Sequence, residues 1–348
     1  MTSTVYFLPW SKLDKFSDWL DSVGTTDHIR ENELVALKIH FGEKGNLGYI
    51  KPQYAKITSD KIKKKNASPF LTDTSTIYAG KRVNAVSHTL LAAEHGFTLN
   101  KCACPIIIAD GLRGNAAANV EVNLKHFKNV QIANAIHYAD SFIFLSHFKG
   151  HELSGFGGAL KNIGMGCGTR GGKIAMHNSV RPKMHVEKCT ACGECAKWCG
   201  VKALEVRDKK IHLDTNVCVG CGECTLRCAF GVFEIPWDES VSSFQEKMVE
   251  YAYGVLKSKR AFYVNFINYV TKLCDCYKTV EPPLLDNIGV MAGADPVALD
   301  QACADLVNKA YGGKDFWRFI YPHIDSSVQL QYAEKLGLGS RKYEVKEY

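Results

Sequence analysis

The sequence predicts an α/β protein in which a largely parallel sheet with flanking helices is interrupted by a small inserted α+β module. Short apolar runs alternate with segments of helical periodicity, and such alternation forms βαβ units. The alternation stops near residue 185 and resumes after residue 237. Eight of the 14 cysteines fall in the intervening stretch. We therefore expect a discontinuous α/β domain at 1–185 and 237–348 and an inserted domain at 186–236.

Five strands are predicted in the first 150 residues, because each run is short, apolar and rich in β-branched or aromatic residues. These strands are expected at 4–8, 34–43, 70–74, 105–111 and 141–150. Apolar residues recur every three or four positions between the strands, which predicts helices. The helices are expected at 11–24, 52–65 and 82–95.

The second half of the α/β pattern begins with a predicted helix at 243–258 and continues with strands at 261–271 and 288–292. Asp295 followed by Pro296 predicts the start of a further helix, which runs to about Ala310. Because parallel strands place their carboxyl ends at one edge of a sheet, polar residues at the strand ends are expected to meet there. These residues are His40, Glu43, Asp73, Asp110, His147 and Lys149.

Composition and charge narrow the class of protein. The chain has 348 residues, of which 46% are hydrophobic and 23% charged, as in ordinary globular proteins. It contains no apolar run long enough to cross a membrane, and its N-terminus lacks the pattern of a secretory signal. The net charge is +7, but the lysine run at 61–65 suits a solvated helix end and no nucleic-acid motif accompanies it. Many free thiols favour a reducing cytoplasm, as in an anaerobic cell.

The cysteines at 189–199 and 218–228 form two copies of the pattern C-x2-C-x2-C-x3-C, separated by a predicted hairpin at 203–214. This spacing is the ligand run of bacterial-type ferredoxins, in which the fourth cysteine of each run binds the other cluster. Zinc sites more often use two separated C-x2-C pairs. The sequence therefore predicts two [4Fe-4S] clusters in a ferredoxin-like module. The expected ligands are Cys189, Cys192, Cys195 and Cys228 for one cluster, and Cys218, Cys221, Cys224 and Cys199 for the other.

A glycine-rich segment at 146–177 follows the fifth predicted strand and carries nine glycines among basic side chains. Glycines expose backbone N–H groups, which together with cationic side chains favour an anionic cofactor or substrate. The candidate binding residues are His147, Lys149, His151, Lys161, Arg170 and Lys173. A glycine-rich surface crossing is the alternative. A further metal ion is another, since His147 and His151 would share a face on a helical turn.

Six cysteines lie outside the two runs. Cys102, Cys104 and Cys303 are expected to pack as small apolar residues, and Cys167 lies in the glycine-rich segment. Cys274 and Cys276 follow a predicted strand and are the candidate catalytic residues, as a redox pair, a third metal site or a substrate-facing thiol. Buried, inert thiols are the competing interpretation, and the pattern alone leaves both open.

Several segments together resemble the domain-of-unknown-function 362 family, a family of iron–sulfur-centre proteins. The resemblance spans nearly the whole chain and is most specific in the glycine-rich segment. It implies an inserted two-cluster ferredoxin module and electron transfer in an anaerobic or photosynthetic cytoplasm. The segments are KIHFGEKGN, SHFKGHELSGFGGALKNIGMGC, KMHVEKCTACGEC, QEKMVEYAYGVL, CDC and DPVALDQA.

Three functions are compatible with these patterns. The first is electron transfer through two clusters, from a ferredoxin-like donor to a partner protein or to a site on the α/β domain. The second is an oxidoreductase acting on an anionic substrate or cofactor held by 146–177. The third is a cluster carrier or assembly factor. The density of ionisable residues in 146–177 favours a binding site over a plain docking surface.

Overall fold

The computed structural model describes residues 2–78, 80–177, 183–218, 220, 222–234, 240–278 and 281–348. The strands are Ser3–Pro9 (β1), Leu34–Lys38 (β2), Ser68–Asp73 (β3), Ile106–Ile108 (β4), Ala117–Glu121 (β5), Asn129–Ala133 (β6), Ser141–His147 (β7), Lys149–His151 (β8), Gly155–Gly157 (β9), Lys183–Met184 (β10), Leu204–Arg207 (β11), Lys210–Leu213 (β12), Phe233–Glu234 (β13), Arg260–Ile267 (β14), Gly289–Gly293 (β15) and Tyr343–Glu347 (β16).

The helices are Phe16–Ser22 (α1), Pro52–Lys63 (α2), Ala85–Glu94 (α3), Leu99–Cys102 (α4), Asn134–Tyr138 (α5), Ala159–Cys167 (α6), Arg170–His177 (α7), Glu194–Lys197 (α8), Glu223–Arg227 (α9), Val241–Leu256 (α10), Pro296–Ala310 (α11), Phe316–Ile320 (α12) and Val328–Lys335 (α13). In the part of the chain that the structure describes, no helix has the length and apolar character needed to cross a membrane.

Eight strands form the central sheet in the order β16-β1-β15-β14-β7-β2-β3-β4. Only β15 runs against its neighbours, so the predicted α/β class with a largely parallel sheet is confirmed. Helices α6, α10 and α11 pack a large apolar core on one face, and α1 and α2 pack a second core on the other. Coverage of both faces explains why β7 and β15 are buried along their whole length.

The predicted elements agree best where local signals are strong. Helix α11 begins at Pro296 and ends at Ala310 as predicted, because the Asp295 side chain accepts hydrogen bonds from the first backbone N–H groups of the helix, at 2.8 and 2.9 Å. The strand predicted at 34–43 ends earlier, at Lys38. The strand predicted at 141–150 is divided into β7 and β8, since β8 leaves the sheet to pair with β9.

The cysteine-rich segment at 183–234 has its own small apolar core. Its buried residues come from the β11–β12 hairpin and from the chain before and after it, and they are Cys195, Leu204, Ile211, Val232 and Phe233. The hairpin predicted at 203–214 is present, with Leu204 opposite Leu213. Strand β10 at one end of the segment pairs with β13 at the other, so the chain enters and leaves the segment at adjacent points. Cys221 and the predicted domain boundary at 236–237 lie outside the described residues.

Candidate functional site

A cavity of about 150 Å³ opens at the carboxyl ends of the parallel strands β2, β3 and β7. Lys38, Asp73 and His147 are the last residues of these strands, and all three line the cavity. His40 and Lys149 line it as well. The expected meeting of polar strand-end residues at one edge is therefore observed for four of the six predicted residues, which are His40, Asp73, His147 and Lys149.

Two predicted strand-end residues lie behind the cavity wall instead. Glu43 binds the Arg82 side chain, with the carboxylate oxygen 3.3 Å from Nε. Asp110 accepts a hydrogen bond from the Ser75 backbone N–H at 3.0 Å. Both carboxylates thus hold neighbouring loops in place rather than face the cavity.

Five of the six predicted binding residues line the cavity. They are His147, Lys149, His151, Lys161 and Lys173. The exception is Arg170, whose buried guanidinium donates to Glu223 at 2.6 Å and to the Thr76 carbonyl at 3.2 Å. Arg170 therefore contacts the cysteine-rich segment instead of the cavity.

The glycines of 146–177 divide between two roles. Gly157, Gly158 and Gly166 line the cavity, where the backbone comes close to its interior. Gly164 and Gly172 allow helices to approach closely, since a Cβ atom would lie 2.1 Å from the Met248 carbonyl oxygen and 2.7 Å from the Tyr251 ring. Some glycines of 146–177 are therefore explained by the close packing of α6 and α7 and not by anion binding.

The cavity lining is predominantly cationic. Among its described residues, Asp73 and Glu152 are the carboxylates. Lys38 is paired with Asp73 at 2.9 Å, and burial lowers the pKa of Lys173 to about 8. Lys149 is likewise paired with Asp275 and Arg82 with Glu43. Among the described lining residues, Lys161 beside the Cys274 sulfur is therefore the cation that most favours a negatively charged ligand. The lysine and arginine side chains of the lining are Lys38, Arg82, Lys149, Lys161 and Lys173.

Asp275 anchors the loop after β14 to the end of β7. Its carboxylate lies 2.9 Å from His147 Nδ1 and 2.8 Å from Lys149 Nζ. His147 Nε2 lies 2.6 Å from the Asn268 carbonyl oxygen, so both ring nitrogens face acceptor atoms. These contacts fix the position of the loop against the sheet and occupy the nitrogen atoms that a metal ion would need.

The alternative of a metal ion bound by His147 and His151 required a helical turn, but His147 ends β7 and His151 ends β8. The His151 Nδ1 atom pairs with the Ser154 hydroxyl at 3.0 Å. Within the described ranges, no three histidine, cysteine, aspartate or glutamate side chains are grouped closely enough to hold a single metal ion. The geometry therefore gives the histidine-bound metal alternative no support.

Cys274 and Cys276 both line the cavity from a tight turn that the Tyr277 N–H closes on the Cys274 carbonyl at 3.1 Å. Lys161 Nζ lies 3.1 Å from the Cys274 sulfur. The His40 Nε2 atom lies 3.7 Å from the Cys276 sulfur. Because His40 Nδ1 accepts a hydrogen bond from the Gly42 N–H at 3.0 Å, its proton is on Nε2 and points at that sulfur.

The two thiols titrate as a coupled pair. The hydrogen bond between the two sulfurs lowers the pKa of Cys276 well below its usual value, with further help from His40 and Arg82. The same hydrogen bond and burial raise the pKa of Cys274 well above the ordinary range. Cys276 is therefore the more acidic thiol of the pair.

Alkylation of Cys276 by iodoacetamide is expected to lose less of its rate between about pH 8 and about pH 6 in the folded protein than in the urea-unfolded chain. A thiol with an ordinary pKa of about 8.5 loses roughly tenfold in rate per pH unit over this range. Because the pKa of Cys276 is lowered, its thiolate disappears only as the pH falls through that lower value. Peptide mass spectrometry measures the rate, and the urea-unfolded chain is the control. A tenfold fall between about pH 8 and about pH 7 in the folded protein would contradict this assignment.

Sequence reasoning missed several lining residues. Lys38 was detectable, since it is the single charge within the apolar run LVALKI, and it is fully buried. Tyr78 and Arg82 gave no such signal, because the loop before α3 has no regular pattern. Arg82 is held by Tyr78, four residues away, and by Glu43, which is 39 residues away in the sequence.

The cysteines of the two runs lie around two separate cavities. The first is lined by four of them, including Cys228 from the second run. The second is lined by three described cysteines, including Cys199 from the first run. In the first cavity the fourth cysteine of the second run joins the first three of the first run, and in the second cavity the fourth cysteine of the first run joins two described cysteines of the second. The first set is Cys189, Cys192, Cys195 and Cys228, and the described part of the second is Cys199, Cys218 and Cys224.

The two runs repeat in backbone conformation as well as in sequence. Residues 191, 193 and 202 have positive φ, and so do residues 220, 222 and 231, each 29 positions later. Backbone N–H groups point at sulfur in the same way in both copies. Near the start of each run, the Ala191 N–H donates to the Cys189 sulfur and the Gly220 N–H to the Cys218 sulfur, both at 3.4 Å. After each run, the Ala203 N–H donates to the Cys199 sulfur at 3.1 Å and the Val232 N–H to the Cys228 sulfur at 3.4 Å.

Helix α7 borders both the second cysteine cavity and the large cavity. Arg170 on this helix binds Glu223, which lines the second cysteine cavity. Ile174 packs so closely on Gly222 that a Cβ atom there would lie 2.3 Å away. Lys173 of the same helix lines the large cavity. One helix therefore separates the two cavities.

Comparisons with known proteins give no match among curated proteins. A crystal structure of a protein from Thermotoga maritima is similar over 83% of this chain and 57% of its own, at 10% identity and a TM-score of 0.43. The lactate racemase apoprotein from Thermoanaerobacterium thermosaccharolyticum is similar over 87% of this chain and 56% of its own, at 12% identity and a TM-score of 0.41. The chain thus spans little more than half the length of either protein. The family model described as domain of unknown function (DUF362) matches residues 35–305, and the chain belongs to this family.

Proposed function

We propose that the protein is an iron–sulfur oxidoreductase whose two [4Fe-4S] clusters exchange electrons with an anionic substrate held in the large cavity. The observation that carries the proposal is the position of α7, between the second set of cysteines and the cavity. A single helix between a redox group and a substrate leaves a short path for electrons.

The donor set fits the clusters. Thiolates are the ligands that iron–sulfur clusters use, and backbone N–H groups directed at the sulfurs stabilise their negative charge. The first cavity has four cysteines and the second has three described ones, with Cys221 expected as the fourth. Clusters bound there supply one-electron transfer. We propose that residues 186–236 form the inserted ferredoxin-like domain that holds them.

The two sets of cysteines differ in their surroundings, which suggests a direction for the electrons. Cys192 of the first set is exposed, and a ferredoxin-like donor has access to this side. The second set adjoins α7 through Glu223 and Gly222. We therefore place the donor at the first set and the substrate beyond the second, in the reducing cytoplasm of an anaerobic cell.

The residues of the cavity bind and orient the substrate. Lys161 projects its ammonium group toward the thiols and lies on α6, whose packing against α10 holds it in place. Lys149 and His147 hold Asp275, and so keep the cysteine turn against the sheet. An anion beside Lys161 would lie near the two sulfurs, and the Lys161 ammonium group would offset its charge.

Two alkylating reagents of nearly equal size test the charge preference of the cavity. Iodoacetate is an anion and iodoacetamide is neutral, so the ratio of their rates at Cys276 reports the local electrostatic potential. We expect this ratio to exceed that of the unfolded chain by roughly tenfold, because cationic clefts concentrate anions. Lys161→Met is expected to lower the ratio severalfold, and Lys161→Arg to preserve most of it.

Iron and sulfide contents measured on the same samples provide the control, and both substitutions are expected to leave them unchanged. Inorganic phosphate is expected to slow iodoacetate more than iodoacetamide. A ratio equal to that of the unfolded chain would contradict an anionic substrate, and electron transfer to a partner protein would then be the better account.

A further inference from the structure

The turn at Cys274–Cys276 has the geometry of a pair that can form and break a disulfide. The two residues are two positions apart in a turn closed by the Tyr277 N–H, which keeps their Cα atoms within the range that a disulfide bridges. The backbone N–H of Cys276 already points at the Cys274 sulfur, 3.4 Å away. The intervening Asp275 side chain is held by His147 and Lys149, so it does not stand between the sulfurs.

The two cysteines are differently placed, as a nucleophile and a resolving thiol require. Cys276 is half-buried and reachable from the cavity, whereas Cys274 is 2% exposed. The His40 N–H faces the Cys276 sulfur and Lys161 faces the Cys274 sulfur, so each sulfur has a donor that stabilises negative charge. An incoming molecule therefore meets Cys276 first.

The remaining thiols of the α/β region show what inert cysteines look like in the same chain. Cys102, Cys167 and Cys303 are fully buried. Burial raises the pKa of Cys102 to about 11 and that of Cys167 to about 12. Neither of these two has a lysine or histidine nitrogen among its hydrogen-bond partners, which are backbone carbonyls. The setting of Cys274 and Cys276 is therefore specific to the cavity.

We propose that Cys274 and Cys276 form a reversible dithiol–disulfide couple that exchanges with small anionic disulfides entering the cavity. The anionic class rests on the function proposed above, whereas the couple itself rests on the turn, the two sulfurs and their donors. Lys161 favours negative charge, and the cavity lies at the carboxyl ends of the parallel strands, where α/β sheets bind small molecules.

The exchange proceeds in two balanced steps. The Cys276 thiolate attacks one sulfur of the substrate disulfide, which forms a mixed disulfide and releases a thiolate that takes a proton from water. The Cys274 sulfur then attacks Cys276, which closes the Cys274–Cys276 disulfide and releases the second substrate thiol with the proton that Cys274 loses. The protein pair is oxidised by two electrons and the substrate disulfide is reduced to two thiols. Reverse exchange with two small thiols restores the dithiol.

The test uses the anaerobically purified full-length protein in mixtures of reduced and oxidised glutathione of graded ratio. Free thiols are trapped with N-ethylmaleimide, and mass spectrometry of the peptide that contains Cys274 and Cys276 reports its state. We expect one two-electron transition, with loss of two hydrogens and no bound glutathione, while Cys303 stays reduced. Cys274→Ser is expected to trap glutathione on Cys276, and Cys276→Ser to react at least about tenfold more slowly.

A pair that stays fully trapped by N-ethylmaleimide at every ratio, as Cys303 does, would overturn the couple. Oxidised glutathione is anionic and cystamine is a cationic disulfide, and we expect the former to react roughly tenfold faster. Equal rates would overturn the anionic substrate class. Iron content and the iodoacetate ratio, measured on the same samples, report the proposed function separately. If those hold while the pair stays reduced, the couple alone is wrong.

Discussion

Replacement of Cys192 by serine is expected to halve the iron and acid-labile sulfide of the anaerobically purified protein, from about eight of each per chain to about four, since each cubane holds four. Cys192 lies in the first set of cysteines, and loss of one thiolate leaves that cluster with three ligands. The two sets line separate cavities, so the second cluster is expected to remain. Cys218→Ser is expected to give the complementary loss.

The matched control is Cys303→Ala, which removes a buried thiol outside both sets and is expected to retain all the iron. Reduced samples examined by electron paramagnetic resonance distinguish one remaining cluster from two half-filled ones. Retention of about eight irons by Cys192→Ser, or stoichiometric zinc without sulfide in the unaltered protein, would contradict two cubanes.

Replacement of Glu223 by alanine is expected to destabilise the protein by about 3–5 kcal/mol, because it leaves a buried guanidinium without its carboxylate. Arg170 is 2% exposed and Glu223 is 7% exposed, and their charged atoms are 2.6 Å apart. Arg227 and Arg113 also approach Glu223, at 2.9 and 3.4 Å, but both are partly exposed and contribute less. Anaerobic urea denaturation followed by circular dichroism measures the change.

Deletion of residues 186–236, with a short flexible linker in their place, provides an informative comparison. The deletion removes Glu223 but also exposes Arg170 to water, so no uncompensated buried charge remains. If residues 1–185 and 237–348 form one domain, the shortened chain is expected to melt cooperatively and to contain no iron. A molten product would show that the segment is part of the larger core.

An unchanged urea midpoint for Glu223→Ala would contradict the role assigned to the buried pair of Arg170 and Glu223.

Local and repetitive signals made much of the architecture predictable. The two cysteine runs, the hairpin between them and the Asp295–Pro296 helix start each depend on residues close together in sequence. The sheet edge was also predictable, because alternation of strands and helices implies parallel strands whose carboxyl ends meet.

Other features depend on contacts between distant residues. Helix α7 was not predicted, since Gly171 and Gly172 oppose helix formation. The glycine at 172 is needed because the helix packs closely on the Tyr251 ring, where a Cβ atom would not fit. Its link to the cysteine-rich segment joins residues 170 and 223. The contact of Lys161 with Cys274 joins residues 113 positions apart. No local pattern reports such pairs.

The central claim is that one cluster lies beside α7, between the surface and the large cavity. A crystal structure of the anaerobically prepared protein, with anomalous scattering measured at the iron edge, tests it most directly. The account predicts two groups of iron, one enclosed by Cys189, Cys192, Cys195 and Cys228 and the other next to Glu223 on the α7 side. A single zinc ion at the cysteines, or iron only between His147 and His151, would contradict it.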